Sequence, residues 1–257
     1  MLRLIPGLLL RCLVFSLTVL TLSVMAAFWY INDYLETPLS GADEPHVIEV
    51  ASGSSLTKLA HQMADQGLLK HPVLFTAYAR LTGQTSIRVG EYQLDSDATP
   101  RRLIELLMSG KVIHYQLTFP EGINFREWLS LLAMQSKLTQ DLQGLDAQEL
   151  LRQLGLDLDH PEGWFFPDTY SYSAGDSDRD ILLRAHDQMR EVLDDEWRSR
   201  EDGLPYKSSY EALILASIVE KETGVGSERS QIAGVFIRRM KKGMRLQTDP
   251  TVIYGLG

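Results

Sequence analysis

Cysteine is almost absent from the sequence, and its single copy, Cys12, lies inside an apolar run near the N-terminus. The rest of the chain therefore has no disulfide and no cysteine metal site. The six histidines form neither a HExxH nor a His-x-His pattern, so the sequence offers no zinc motif either. We therefore expect a protein that works without a metal ion or other cofactor.

Positive charge is also in short supply. The sequence has 25 Lys and Arg residues against 34 Asp and Glu residues, which gives a net charge of −9. Because no basic stripe suits a phosphate backbone, we do not expect nucleic acid as a partner. A neutral or mixed-charge polymer fits this surface better.

One short basic run interrupts the acidic background. It consists of Arg238, Arg239, Lys241, Lys242 and Arg245. The run falls in the last turn of a predicted helix and just after it, where cations complement the helix dipole. A site for a phosphate or a lipid headgroup is the alternative interpretation.

Long apolar runs are missing except at residues 12–31. About 20 residues at ~1.5 Å each cover roughly 30 Å, the thickness of the hydrocarbon core of a bilayer. Arg3 and Arg11 precede the run, while Trp29 and Tyr30 close it. The pattern predicts a membrane anchor at residues 1–31 with a cytoplasmic N-terminus. A signal peptide cleaved near Ala26 is the alternative, and both interpretations export the rest of the chain.

The next part of the chain predicts a linker at residues 32–45 and then a small α+β module at residues 46–119. Strand patterns occupy residues 46–50, 87–94 and 111–119, and helices begin near Leu56, Pro72 and Thr99. The first strand, the polar turn at 53–55 and the helix from Leu56 resemble the opening of the LysM peptidoglycan-binding module. A plain spacer between the membrane and an active site is the alternative.

Residues 120–257 change in character toward helix. The predicted helices cover residues 125–134, 147–154, 180–197, 209–222 and 227–242, the last with Ser227 as its N-cap and Gly243 after its end. The predicted fold class is therefore α+β: a transmembrane helix, a LysM-like α+β module and a mainly helical domain at residues 120–257.

The strongest local signal is a run of small and apolar residues that leads into Glu220. The run has no clear polar face and predicts a buried helix, from which Glu220 projects between small neighbours while Glu222 points roughly opposite. Poor solvation and the negative end of the helix dipole would favour a protonated acid, as a proton donor requires. In the alternative interpretation, Glu220 ends the helix at the surface, paired with a nearby lysine or arginine.

Two further clusters are candidates for sugar binding. Around Pro250 gather amide, hydroxyl and carboxylate groups that suit sugar hydroxyls and N-acetyl groups: Gln247, Thr248, Asp249 and Tyr254. A capped turn is the alternative there. Residues 162–170 combine aromatics with carboxylates, and the candidates are Glu162, Trp164 and Asp168. Aromatic faces bind sugar rings, but they also fill protein cores.

Together, several segments closely resemble the endolytic murein transglycosylase family, the YceG-like proteins. They are residues 162–170, 217–223, 227–229, 235–239 and 246–255. The predicted anchor and the LysM-like module also match, so the resemblance covers nearly the whole chain. It implies that Glu220 is the catalytic glutamate of an inner-membrane, periplasm-facing protein. Family members usually continue well past the last of these segments, so we expect the C-terminal part of the catalytic domain to be missing here.

The resemblance also implies a reaction. The substrate is a nascent peptidoglycan strand near the peptidoglycan synthases, and cleavage between N-acetylmuramic acid and N-acetylglucosamine leaves a 1,6-anhydro end and helps to terminate strand elongation. One carboxylate suffices for this chemistry, whereas glycoside hydrolysis usually needs two. A hydrolase that pairs Glu220 with Asp249 or Glu222 is one alternative. A non-catalytic scaffold that binds glycan and recruits synthases is another.

Overall fold

The computed structural model describes residues 5–40 and 45–256. The chain divides into two compact units, one that ends at Ile113 and one that begins at His114. Helices and short strands occur in both units, so the predicted mixed helix-and-sheet fold is confirmed. Residues 1–4, 41–44 and 257 lie outside the described part. The predicted charge at Arg3 and part of the predicted linker fall there.

The first unit begins with one long helix, α1 (Ile5–Glu36). Its segment Leu10–Glu36 is long and apolar enough to cross a membrane, a property that a signal sequence shares. The helix continues five residues beyond the predicted end of the span at Ile31, because Tyr34 and Leu35 pack into the core of the first unit. Residues 32–36, predicted as the start of a linker, are therefore helical.

The remaining elements of the first unit include both strands and helices. They are β1 (His46–Val50), α2 (Leu56–Asp65), α3 (Pro72–Leu81), β2 (Gly90–Leu94) and α4 (Pro100–Ser109). Ser55 and Thr99 cap α2 and α4 by accepting a hydrogen bond from a backbone N–H three residues later. β1 and β2 form an antiparallel pair with Ile48 opposite Tyr92, and both side chains are buried. The predicted order of elements therefore holds up to α4.

The second unit is richer in helix. Its elements are β3 (His114–Thr118), α5 (Phe125–Ala133), α6 (Ala147–Leu154), β4 (Thr169–Ser173), α7 (Asp178–Ser199), α8 (Ser209–Glu222), α9 (Arg229–Lys241) and α10 (Asp249–Leu256). A 3₁₀ turn at Gly226–Glu228 precedes α9, so Ser227 lies inside that turn and is not the predicted N-cap. Gly243 follows α9 with a φ of 64°, a conformation that suits a glycine after a helix end.

The strand predicted at residues 111–119 belongs to the second unit, not to the module predicted at 46–119. The strand observed there, β3, pairs antiparallel with β4, and Leu117 lies opposite Tyr170. β4 was not predicted from the sequence. Its buried Tyr170 and Tyr172 alternate with less buried residues, as one face of a strand requires. The boundary between the two units therefore lies several residues before the predicted one.

Two apolar clusters lie in the second unit. The larger one gathers side chains from β3, β4 and α5–α7, among them the stacked rings of Phe119 and Trp128. The smaller one consists of Leu215, Ile218, Val219 and Phe236 and joins α8 to α9. Because this second cluster has few members, each of its side chains contributes a large share of the packing between these two helices.

Candidate active site

Helix α8 positions Glu220. Ser208 caps the helix by accepting a hydrogen bond from the N–H of Glu211 at 3.2 Å. Leu215, Ile218 and Val219 form its buried face, as expected for residues three and four apart. Ile214 is 47% exposed, so the prediction of a helix buried on all sides is wrong. The stripe formed by Leu215, Ile218 and Val219 packs into the small apolar cluster that α8 shares with α9.

Glu220 lies in the last turn of α8 and forms an ion pair. Its Oε2 is 2.8 Å from Nη2 of Arg229, and its side chain is 27% exposed. The 3₁₀ turn reverses the chain after α8, which places Arg229 at the start of α9 and within reach. The expected poorly solvated carboxyl is therefore a partly exposed, paired one. This contact is the arginine pairing that the alternative interpretation anticipated.

A glycine turn approaches Glu220 from the other side. Gly122 has a φ of +76°, and a Cβ built on it would lie 3.5 Å from Cγ of Glu220 and 3.5 Å from Cε of Lys221. A residue with a side chain would adopt this φ with strain, whereas its Cβ would make an ordinary van der Waals contact with the glutamate. The backbone of the turn therefore lies close to the side chains of Glu220 and Lys221.

Glu222 has different partners from Glu220. Its Oε1 accepts a hydrogen bond from the hydroxyl of Thr248, a residue that is 5% exposed. Glu220 and Glu222 therefore point in different directions, as expected for residues two apart, which are separated by about 200° around the helix axis. Glu222 therefore ties the end of α8 to the segment that leads into α10.

The cluster around Pro250 is a helix start where the sequence suggested a proline-fixed turn. Asp249 and Pro250 open α10, and Gln247, with a φ of 55°, precedes it as an exposed residue. Asp249 is also exposed, whereas Thr248 is buried against Glu222. Of these residues, Gln247 and Asp249 present their polar groups to solvent.

Tyr254 and Glu162 face each other. Tyr254 is 59% exposed, and partial burial, together with the negative Glu162 carboxylate that its hydroxyl contacts, raises the pKa of Tyr254. Oε2 of Glu162 also accepts a hydrogen bond from the backbone N–H of Phe125 at 3.2 Å, at the start of α5. Glu162 therefore links α5 to α10 and acts as a structural bridge.

Trp164 packs against α8 as well. Its ring stacks on Tyr210 with a centroid distance of 5.1 Å and an interplanar angle of 5°. The hydroxyl of Tyr210 donates to the carbonyl oxygen of Glu162 at 3.4 Å. A Cβ on Gly163 would contact Leu213 at 3.4 Å. Residues 162–164 thus line the first half of α8, and one face of Trp164 is already covered.

Asp168 has contacts elsewhere. Its Oδ1 accepts from the N–H of Thr169 at 2.7 Å, and its Oδ2 accepts from Gln188 on α7 at 3.3 Å. These partners lie on β4 and α7, while those of Glu220 lie on α9 and the glycine turn. The structure therefore groups Glu220, Arg229 and Gly122 with α8, and Asp168 belongs to a different neighbourhood.

Sequence reasoning gave no role to Arg229 or Gly122. Arg229 stood inside the motif at 227–229, and Gly122 followed the proline at 120. Both residues are too far from Glu220 in the sequence to contact it within one helix or one turn. Neither periodicity nor composition could therefore reveal these contacts. The available signal was the presence of Arg229 in a segment that resembles the family.

Comparison with known proteins gives consistent matches. The model of the YceG-like family matches residues 48–257. An endolytic murein transglycosylase from Bacillus subtilis is 28% identical over 92% of this chain and 70% of its own length. One from Streptococcus pneumoniae serotype 2 is 25% identical over 90% of this chain, which spans 46% of that relative.

A solved structure also matches. It is a YceG-like protein from Listeria monocytogenes, 25% identical, with a TM-score of 0.43 over 83% of this chain and 76% of that one. The family model covers far more than half of the sequence, including α8 and every segment that carries the resemblance. This chain therefore belongs to the YceG-like family.

Proposed function

We propose that this protein is an endolytic lytic transglycosylase that cleaves peptidoglycan glycan strands, with Glu220 as its single acid and base. The observation that supports this most is the position of Glu220: a partly exposed carboxylate at the end of α8, beside a turn at Gly122 that carries no side chain. Two relatives that match about 90% of this chain are named endolytic murein transglycosylases.

In the proposed reaction, Glu220 first donates its proton to the glycosidic oxygen between N-acetylmuramic acid and N-acetylglucosamine. The bond from C1 to that oxygen breaks, and an oxocarbenium-like centre develops at C1, assisted by the N-acetyl group of the substrate. The C6 hydroxyl oxygen then bonds to C1 and gives its proton to the Glu220 carboxylate. The product has a 1,6-anhydro end, water is not consumed and the glutamate regains its starting state.

Arg229 has a defined part in this scheme. Between the two proton transfers Glu220 carries a full negative charge, and the guanidinium 2.8 Å away faces that charge. This contact to one oxygen also favours one position of the carboxylate, at the start of α9. We therefore assign Arg229 as the residue that positions Glu220.

The remaining candidates divide according to their contacts. Gln247 and Asp249 are exposed, and Tyr254 is 59% exposed although its hydroxyl contacts Glu162; these three residues are proposed to bind the sugar. Thr248, Glu162 and Trp164 are engaged by protein groups and are proposed to support the site through those contacts. Asp168 is exposed and retains its proposed role in sugar binding on the side of β4.

The proposed location is the inner membrane, with α1 as a single uncleaved span and with the rest of the first unit and the whole second unit in the periplasm. The apolar helix supports this, and residues just after it pack into the first unit. There the enzyme would act on nascent strands beside the peptidoglycan synthases and help to terminate their elongation. The first unit forms the strand, turn and helix on which the LysM-like resemblance rests, and we propose that it binds glycan.

Product analysis tests the proposed reaction. Purified protein is incubated with uncrosslinked glycan strands, and the soluble products are identified by mass spectrometry. Internal fragments with 1,6-anhydro ends are expected. Reducing ends would instead indicate a hydrolase, and binding to the strands without release of fragments would indicate a scaffold.

A separate experiment tests the location. Cell fractions are probed for the N-terminus of the mature protein. An intact chain in the membrane fraction is expected. A soluble form that begins near Ala27 would identify a cleaved signal peptide.

A further inference from the structure

The periplasmic end of α1 is clamped to the first unit by one arginine. Nε of Arg101, on α4, lies 2.6 Å from Oε1 of Glu36, and its Nη2 donates to Oδ1 of Asn32 at 3.1 Å. Between these two residues Tyr34 and Leu35 are 8% and 1% exposed. Polar contacts on one side and apolar burial on the other leave this helix end little freedom. The direction of the span therefore fixes the orientation of the first unit.

A second set of contacts lies one turn closer to the membrane. The hydroxyl of Tyr30 is 3.3 Å from Nε2 of His71, and their ring centroids are 6.3 Å apart. The hydroxyl of Tyr34 donates to the carbonyl oxygen of His71 at 3.2 Å. His71 immediately precedes α3, so the start of α3 is held beside Tyr30.

The position of Tyr30 relative to the bilayer indicates the depth at which His71 contacts α1. Trp29 and Tyr30 are 69% and 51% exposed at the end of the apolar run, where amphipathic aromatics occupy the headgroup layer. This layer is about 5–8 Å thick on each side of the hydrocarbon core. Tyr30 and Tyr34 are about 6 Å apart along the helix axis. His71, which contacts both, consequently lies within the thickness of the layer.

The residues around His71 suit such a layer. Val73, in the first turn of α3, is 67% exposed, and Lys70 is exposed just before the helix. An apolar side chain beside a cation is a common composition at a membrane surface, because the former contacts acyl chains and the latter anionic headgroups.

We propose that residues 70–73 form a second contact with the membrane, in which Val73 packs into the headgroup layer of the leaflet that α1 leaves. The proposal rests on the proposed location of α1. Helix α3 then leads away from the bilayer, since Tyr78 is joined through Arg101 to the last turn of α1. Leu81, at the far end of α3 and 87% exposed, is held in water.

The two ends of α3 provide a matched test. The full chain with Cys12→Ser is reconstituted into vesicles of phosphatidylethanolamine and phosphatidylglycerol, and single cysteines at Val73, Leu81 and Leu20 carry a nitroxide. All three positions are exposed apolar residues, so the label leaves the core unchanged. Electron paramagnetic resonance then measures relaxation of each label by oxygen, which partitions into lipid, and by a water-soluble nickel chelate.

We expect the chelate to reach the Val73 label several-fold less than the Leu81 label, and oxygen to relax the Val73 label more strongly. Equal access of the chelate to both labels overturns the proposal. The Leu20 label separates this outcome from a failure of the anchor itself. A Leu20 label that is open to the chelate shows that α1 does not span the bilayer, whereas a protected one confirms the span independently of Val73.

A second variant tests the role of the ring contact. Tyr30→Ala removes the hydrogen bond to His71 and should raise the access of the chelate to the Val73 label toward that of Leu81. Tyr30→Phe keeps the aromatic ring and should raise it less. An unchanged Val73 label in Tyr30→Ala would contradict the proposed dependence on this contact.

Discussion

Arg229 and Glu220 meet across the 3₁₀ turn between α8 and α9, with Nη2 of the arginine 2.8 Å from Oε2 of the glutamate. The pair is partly exposed, with 48% of the arginine side chain and 27% of the glutamate side chain accessible to solvent. Such pairs contribute only about 0–1 kcal/mol to stability. Its importance therefore lies in where it holds the carboxylate.

We predict that Arg229→Gln lowers kcat by roughly 10²-fold, the size of effect expected when a reacting group is displaced by about 1 Å. KM and the free energy of unfolding should change little. Arg229→Lys keeps the charge without the planar donors and should recover part of the loss. Steady-state cleavage of glycan strands gives kcat and KM separately.

The matched control is Arg198→Gln, which removes another exposed ion pair, to Asp195 on α7. It should leave turnover unchanged. If Arg229→Gln and Arg198→Gln behave alike in turnover, Arg229 has no positioning role.

The burial of one histidine allows the pH dependence of the free energy of unfolding to be predicted. His186 on α7 is 5% exposed, packs near Trp164 and Phe165, and its Nδ1 has no hydrogen-bond partner within the described residues. Burial lowers the pKa of His186, with Arg190 acting in the same direction and Asp187 opposing both. Folding therefore favours the neutral ring.

The sign follows from the lowered pKa. This contribution to stability is complete above the unfolded-state pKa of about 6.5 and is lost as the pH falls from there through the folded-state pKa. We predict that the free energy of unfolding decreases on acidification in this range, and that His186→Phe weakens the dependence. Urea unfolding at a series of pH values measures it. His61→Gln, at an exposed site, should keep the dependence of the parent.

Because the smaller apolar cluster of the second unit has few members, we expect that truncating one of its side chains lowers the free energy of unfolding strongly. Leu215 is 5% exposed and belongs to the four-residue cluster that joins α8 to α9. Leu215→Ala removes a buried isobutyl group and should cost about 2–5 kcal/mol, measured by urea unfolding. Ile214→Ala, at the neighbouring position that is 47% exposed, is the control and should cost under about 1 kcal/mol. Similar losses in the two variants would mean that the buried stripe is wrongly identified.

Local sequence signals predicted the helices well where caps and apolar spacing agree. The bounds of α6 and α8 match the structure, in which Asp146 and Ser208 accept capping hydrogen bonds at the helix starts. β4 was not predicted, because its pairing with β3 joins segments about 50 residues apart. Such a partner leaves little trace in local periodicity, and residues 162–170, which include only the start of β4, were interpreted as a sugar site instead.

The same limit applies to the site. Family resemblance identified Glu220, but only the fold brings Arg229 and Gly122 beside it. Helical geometry correctly separated Glu220 from Glu222, because the angle between them depends on the helix alone. It could not give their partners, which come from α9 and from the segment before α10. Interactions between elements therefore account for most of what the sequence did not reveal.

The proposed role of Glu220 itself predicts the largest loss of activity. Glu220→Gln keeps the size of the side chain and an oxygen that can accept a hydrogen bond from Arg229, but it removes the transferable proton. We expect 1,6-anhydro ends to disappear, with a loss of at least roughly 10²–10⁴-fold, the usual contribution of general acid–base catalysis. Folding and binding to glycan strands should remain nearly intact.

Glu222→Gln is the matched control on the same turn of α8. Its amide oxygen can still accept the hydrogen bond from Thr248, so the end of the helix stays tied to the segment before α10. This variant should retain most of the activity, because residue 222 faces away from the Gly122 turn. Cleavage by the parent must be established first, and a version extended beyond Gly257 after the pattern of the longer relatives supplies a second background. Equal activity of Glu220→Gln and the parent in either background would remove Glu220 from the mechanism.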